Sequence, residues 1–270
     1  MPSYFVTGVN RGIGWAFLRK LSDDANNIVV GSVRNKAAVE KKISDELGSR
    51  SNMHIVELEM ASYESIKNSV NAVSEITGGK LDYVIANAGY ISDWSKYDPI
   101  GKLGDTPQQL EEDLLYSFKV NAIGNVHLFN SYMPLILKGD AKKVITISSG
   151  MADIDLINQY RAYFSAPYSI SKGAVNIAIS KFHAQYAGDG VLFMGISPGW
   201  VDTGDNDSLS QDQLESGMRM AAIFDQYAPG AKPTTPENSV TDMMKVIYES
   251  SLEKGHGGAF ISHLGNKRWL

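Results

Sequence analysis

The chain has no cysteine among its 270 residues. That excludes disulfides, a thiolate nucleophile and any zinc–thiolate centre. The five histidines are scattered, with no pair at a metal-binding spacing. Asp202, Asp205 and Asp207 are clustered but lack the glycine and terminal glutamate of a calcium loop, so no metal site is expected. No apolar run approaches the ~20 residues that a membrane span requires. The first residues do not read as a charged segment followed by an apolar one, so no signal peptide is visible and a cytoplasmic location is expected. Asn206-Asp207-Ser208 is a glycosylation sequon that has meaning only in a secreted chain. A cationic excess is missing too: 25 Lys and Arg against 30 Asp and Glu leave a net charge of -5, which argues against a nucleic-acid partner.

What remains is a globular composition, 43% hydrophobic and 20% charged, able to bury a large core without covalent staples. Short β-prone runs alternate with helical periodicity. Strands are predicted over 3–6, 27–33, 53–58, 81–86, 142–148, 191–197 and 259–262. Helices are predicted over 15–21, 37–47, 62–76 with Ser62 as cap, 166–186 and 236–250, and one begins at Thr106-Pro107 and runs through Asn121 to Leu137. Residues 203–235 lack a strong period. This alternation predicts one α/β domain over 1–270, a Rossmann-type doubly wound parallel sheet of about seven strands with helices on both faces. Ligands of such sheets lie beyond the carboxyl ends of the strands. The glycine loop, Arg34, Asn87, Ser149 and Pro198 all follow predicted strands and are expected along that one edge.

The first strand leads into Thr7-Gly8-Val9-Asn10-Arg11-Gly12-Ile13-Gly14. Strand, glycine-rich turn and helix in that order make a phosphate cradle. The glycines let the backbone approach a pyrophosphate, and the helix N-terminus offers free N–H groups and a positive dipole end. The second strand ends at Arg34, where an acidic residue would hold a ribose 2′-hydroxyl and a cation suits a 2′-phosphate. With Arg11 in the loop, this favours NADP(H) over NAD(H). Taken singly, each arginine reads equally well as a solvated surface charge.

Tyr168 and Lys172 lie four apart in a helical pattern and therefore on one face. An ammonium beside a phenol favours the phenolate and lowers the tyrosine pKa, which suits it to pass a proton to or from a substrate oxygen. Ser149, just after the fifth strand, has a hydroxyl that can hold the same oxygen. Alone, Tyr-x-x-x-Lys is also an ordinary surface pair.

Together, Thr7-Gly-x-x-x-Gly12-Ile-Gly14, Asn87-Ala88-Gly89, Asn121, Ser149, Tyr168-x-x-x-Lys172 and Pro198-Gly199-x-x-x-Thr203 resemble the classical short-chain dehydrogenase/reductase family, over essentially the whole chain. The glycine loop and Arg34 resemble its NADPH-dependent carbonyl-reductase branch. The run from Ala166 to Lys172, with Lys181-Phe182-His183, resembles fungal ketoreductases of polyketide pathways. The resemblance implies a catalytic tetrad. Tyr168 would be the general acid in reduction and Ser149 the hydrogen-bonding partner of the carbonyl oxygen. Lys172 would lower the Tyr168 pKa and bind the nicotinamide ribose, and Asn121 would hold a water linking Lys172 to solvent. It also implies cofactor contacts from Gly8, Asn10, Arg11, Gly12, Ile13, Gly14, Arg34, Glu59, Met60, Asn87, Ala88, Gly89, Pro198, Gly199, Val201 and Thr203, besides Tyr168 and Lys172. A homo-oligomer, dimer or tetramer, through the helices carrying Asn121 and Tyr168 is implied as well.

Two features depart from that pattern, and one further segment admits two readings. Glu59-Met60 stands where Asp and an aliphatic residue are usual for the adenine contact. The stretch 150–167 is longer than usual and reads either as a substrate wall or as a plain surface loop. Segment 203–232, with Met218, Met220, Ile223, Phe224 and Tyr227, reads either as a substrate lid or as a helix packed on the core. The expected activity is NADPH-dependent reduction of a ketone or aldehyde on an apolar, aromatic or polyketide-like small molecule. The rival readings are a scaffold repurposed for cyclisation, dehydration or isomerisation, and a non-catalytic NADP(H) sensor.

Overall fold

A computed structural model describes residues 1–204 and 211–270. Seven short runs rich in β-branched and aromatic residues pair into one sheet: β1 (Ser3–Thr7), β2 (Ile28–Val33), β3 (Met53–Glu57), β4 (Tyr83–Ala86), β5 (Lys143–Ile147), β6 (Leu192–Ser197) and β7 (Phe260–Ser262). Every neighbouring pair is parallel, in the order β3-β2-β1-β4-β5-β6-β7. The order reverses direction between β1 and β4, and that junction opens the crevice.

Side chains alternate along each strand, so the sheet feeds two cores. Tyr4, Val6, Ile85, Ile145 and Ile196 enter the first, closed by α1 (Gly12–Ser22), α2 (Lys36–Glu46) and α10 (Pro236–Glu249) through Phe17, Leu18, Val39, Met243 and Ile247. Phe5, Val84, Val144 and Phe193 enter the second, closed by α3 (Tyr63–Thr77), α6 (Gly124–Ile136) and α8 (Ala166–Tyr186) through Ile66, Val73, Phe129, Tyr132 and Ile179. A smaller third core of Leu156, Ala162, Phe164, Phe224 and Trp269 lies beyond the end of β5.

Local chemistry explains where the sequence reading holds and where it changes. Ser62 caps α3 as predicted, its Oγ accepting from Ser65 N at 3.2 Å. Thr106 does not cap. A short helix, α4 (Ile100–Leu103), ends just before it, and its hydroxyl instead donates back to Leu103 O at 3.4 Å. The single helix expected from 106 to 137 is α5 (Pro107–Phe118) and α6 joined by a π-helical turn, Lys119–Ile123, centred on Asn121. The stretch 150–167 holds a helix that was not predicted, α7 (Ile154–Tyr160). It is capped by Asp153, whose Oδ1 accepts from Leu156 N at 2.8 Å, and stopped by Arg161 in the left-handed region at φ 53°. Residues 211–227 form α9 (Gln211–Tyr227), and its Phe224 packs into the third core. Asp205, Asp207, the sequon and part of segment 203–232 lie outside the described residues. Among those described, no helix is long and apolar enough to cross a membrane, and no three His, Asp or Glu residues converge as a metal site would require.

Candidate active site

The glycine turn between β1 and α1 is built so that only glycine fits. A Cβ on Gly14 would come 2.1 Å from Gly8 O and 2.6 Å from Asn87 Nδ2. Gly8 takes φ 74°, and a Cβ there would meet Ala88 Cα at 2.9 Å. Asn87, just past β4, locks this turn to the neighbouring strand: its Nδ2 donates to Thr7 O (3.0 Å) and Gly8 O (3.2 Å), while Ala88 N donates to Thr7 Oγ1 at 2.9 Å. The N-terminus of α1 has no side-chain cap and no acid in its first turn, so its dipole end is left to attract anions.

From this cradle a cavity of about 510 Å³ runs along the carboxyl edge of the sheet, a size suited to a small ligand. Gly8, Asn10, Arg11, Gly12, Ile13, Gly14, Arg34, Glu59, Met60, Asn87, Ala88, Gly89, Pro198 and Thr203 line it, together with Tyr168 and Lys172. Arg34 stands exposed at the rim, its Nε 3.9 Å from Glu59 Oε2. The other Glu59 oxygen accepts from Ala61 N at 3.0 Å. The carboxylate expected to reach adenine is thus held to its own backbone and to the rim arginine.

Tyr168 and Lys172 line the far end of the cavity with Ile147 and Ser148, whereas Ser149 and Asn121, the other two residues of the expected tetrad, do not form its wall. The two serines after β5 differ: Ser148 is buried and donates to Asn176 Oδ1 at 2.8 Å, whereas Ser149 is half-buried and its hydroxyl draws the Tyr168 phenol's pKa down. Ser149 Oγ also accepts from Met151 N at 3.2 Å, opening a single 3-10 turn over Gly150–Ala152. Helix α8 starts abruptly, with Ser165 at φ 52° and Pro167 in the first turn, and so delivers Tyr168 to the cavity. One turn on, Lys172 Nζ donates to Ile147 O at 2.8 Å and lies 5.6 Å from the Tyr168 ring centre. Asn121 is fully buried. Its Oδ1 accepts from Tyr90 N at 2.8 Å, and its Nδ2 donates to Tyr90 O at 2.7 Å and Ser171 Oγ at 2.9 Å. Its carbonyl accepts from Asn125 Nδ2 at 2.7 Å.

The electrostatics differ from expectation at one point. Burial pushes the Tyr168 phenol up to about 12, and the Ser149 bond draws it only part of the way back. Burial pulls Lys172 down to about 8. In the protein alone, desolvation therefore dominates, and Tyr168 is an acid that holds its proton at neutral pH.

A family model described as short chain dehydrogenase matches residues 3–214. The chain belongs to the short-chain dehydrogenase family. The short chain dehydrogenase virK of Hypocrea virens is 53% identical over 271 residues, 100% of each chain. The short-chain dehydrogenase/reductase iacC of Pestalotiopsis fici is 43% identical, again over 100% of each. An NADPH-bound carbonyl reductase from chicken fatty liver superposes with a TM-score of 0.76 at 25% identity, covering 98% of both chains. The carbonyl reductase Sniffer of D. melanogaster, at 20% identity and a TM-score of 0.77 over 98% of both chains, shares the fold.

Members of this short-chain dehydrogenase family are oxidoreductases that use nicotinamide cofactors, and the residues present fit one. Gly8, Gly12 and Gly14 bring bare backbone to the cavity wall, and the uncapped N-terminus of α1 starts there. Gly199 and Val201 do not reach the cavity wall. Gly199 takes φ 85°, and a Cβ there would meet the His263 ring at 2.7 Å. Val201 bridges Thr234. Sequence reasoning missed Asn35, Tyr90, Ile91 and Tyr116, which also line the cavity. Asn35 was within reach, since it follows Arg34 as an asparagine before a helix, and its Oδ1 caps α2 by accepting from Ala38 N at 3.2 Å. The Tyr90–Tyr116 pair, edge to face at 4.7 Å, is a tertiary contact without a local signal.

Proposed function

We propose that the protein reduces a ketone or aldehyde on an apolar, aromatic or polyketide-like molecule with NADPH, as a ketoreductase of fungal secondary metabolism. The observation that carries this reading is Tyr168 one helical turn before a buried lysine, with the Ser149 hydroxyl acting on the phenol, at the end of a cavity that begins at a phosphate cradle. Bound there, the reduced cofactor supplies a hydride. Gly8, Gly12, Ile13 and Gly14 would hold its pyrophosphate, Arg11 and Arg34 a 2′-phosphate, and Lys172 and Thr203 its nicotinamide end. Ser149 donates to the substrate's carbonyl oxygen and fixes it beside the phenol. As the carbonyl carbon gains two electrons and a hydrogen, Tyr168 gives its proton to the oxygen, forming the alcohol. The phenolate left behind faces the Lys172 ammonium, which stabilises it. Reprotonation runs through Lys172 and a water on the Asn121 carbonyl.

The aromatic third core supports the substrate class. In it Phe224 meets Phe164 and Trp200 edge to face, and Tyr160 meets Tyr227 in the same way. Exposed apolar side chains on α5 (Leu115, Phe118) and α8 (Ile170, Ile177) support self-association into a dimer or tetramer. The deciding experiment incubates the protein with NADPH and a panel of aromatic ketones and aldehydes, following cofactor absorbance and alcohol formation. One alcohol formed per NADPH consumed is expected. NADPH binding without consumption on any of them, or product formed without consumption, contradicts the reading.

A further inference from the structure

Gly150 follows the catalytic serine and has no room for a side chain. A Cβ there would come 2.5 Å from Trp269 Cβ and 2.8 Å from its Cγ. Trp269 lies in the segment after β7, is 3% exposed, and stacks on Phe260 at 4.4 Å with the planes 16° apart. Its backbone N donates to the Tyr227 hydroxyl at 2.9 Å, and that hydroxyl donates to Lys267 O at 3.4 Å. Tyr227 ends α9 and meets Tyr160 of α7 edge to face at 5.0 Å. The corner that Trp269 covers is otherwise held mostly by its own turn. Ala152 N donates to Ser149 O and Asp153 N to Gly150 O, both at 2.9 Å, and Met151 N donates to Ser149 Oγ at 3.2 Å. Gly150 N donates to Ser197 Oγ at 3.0 Å, and the 3-10 helix is one turn long. Such a turn has little stability of its own and depends on what packs against it.

We propose that Trp269 is a positioning residue for the reaction. Its indole backs the Ser149-Gly150 corner, and Tyr227 links that support to α9, so that the serine hydroxyl keeps its place beside Tyr168. The proposal rests on Ser149 and Tyr168 being the reacting pair. A misplacement of about 1 Å costs on the order of 100-fold in rate, so losing the support acts on turnover and leaves the distant phosphate cradle intact.

The test compares Trp269→Ala, Trp269→Phe and Tyr227→Phe, the first of them also in a Ser149→Ala background. Three quantities are measured: kcat with an aromatic ketone, NADPH affinity, and hydrogen exchange of the Gly150 and Met151 amides. Trp269→Ala is expected to lower kcat roughly 10- to 100-fold, with NADPH affinity within about twofold and faster exchange confined to residues 149–152. Trp269→Phe keeps a ring on Phe260 and restores most of the rate. Tyr227→Phe falls between. In the Ser149→Ala background, Trp269→Ala brings no further loss, because a residue that acts only through the serine has nothing left to position. Equal losses in both backgrounds, unchanged kcat, or faster exchange spread through the whole sheet would overturn the proposal. If Trp269→Ala does not fold, Tyr227→Phe and Trp269→Phe carry the same comparison. Wild-type protein that reduces no carbonyl compound counts against the reductase reading instead, and the amide exchange still decides whether Trp269 holds the corner.

Discussion

Replacing Gly14 by alanine tests the cradle at its tightest point. The new methyl would lie 2.1 Å from Gly8 O, so the turn must open by roughly 1.3 Å to reach ordinary contact. It has little freedom to do so. Gly8 N donates to Ser32 O at 2.9 Å, Gly8 O accepts from Asn87 Nδ2 at 3.2 Å, and the other side of Gly8 abuts Ala88. Overpacking of this kind costs about 1–3 kcal/mol, and losing the Asn87 bond adds about 1 kcal/mol. If the displacement falls on the bound state, NADPH affinity drops roughly 30- to 700-fold. Fluorescence titration with NADPH and thermal melts with and without it separate loss of affinity from loss of fold. Gly173→Ala is the control: it sits in α8 beside Lys172 with nothing within 4 Å of its Cβ. Alanine there stabilises the helix by up to about 1 kcal/mol and leaves NADPH affinity unchanged. Gly14→Ala that binds NADPH within about threefold of wild type at an unchanged Tm refutes the reasoning.

Other predictions follow from the same geometry. Arg34→Asp weakens NADPH far more than NADH, since only NADPH carries the 2′-phosphate; equal losses in titrations of both remove that argument. Glu59→Gln keeps the contact to Ala61 N but releases Arg34 from its carboxylate partner, so NADPH affinity rises by no more than about fivefold, the range of an exposed ion pair. Lys172 loses its charge as pH rises through about 8, so kcat/KM for reduction falls above that pH while Tyr168 stays protonated. An NMR titration of the lysine side chains checks this, and a Lys172 midpoint near the ordinary 10.4 contradicts it. Burial raises the Asp82 carboxyl, but hydrogen bonds from Ser3 N, Asp140 N, Ser3 Oγ and Ala141 N outweigh it and leave a net depression. Its stabilisation is therefore present above the ordinary carboxylate range and disappears as pH falls through the folded value. Asp82→Asn is less stable than wild type at neutral pH, and the gap in urea midpoints closes on acidification.

The legible parts of the molecule were those written in local sequence. Period-two and period-3.6 patterns gave the parallel sheet, and glycines flanked by a strand and a helix gave the cradle, because each rests on contacts between near neighbours. Ser149 is told from Ser148 in the sequence by its place in the Ser148-Ser149-Gly150 run, a motif and not a period. What stayed hidden depends on distant partners. Helix α9 is one of two readings of its segment, and its partners, Phe164 and Trp200, are what the sequence does not name. Helix α7 is seven residues long, too short for a period to be seen. The direction of the Tyr168 shift was misjudged because a sequence displays the neighbouring lysine but not the packing that desolvates the phenol. Asn121 was recognisable as a site residue, while its hold on Tyr90 and Ser171 emerges only when α5, α8 and the loop after β4 meet.

The most direct test of the central claim is turnover by Tyr168→Phe, which removes one hydroxyl from the cavity and leaves the ring. The acid role predicts that ketone reduction falls by on the order of 100- to 10,000-fold while NADPH binds as in the wild type. Reduction at the wild-type rate by Tyr168→Phe would contradict it.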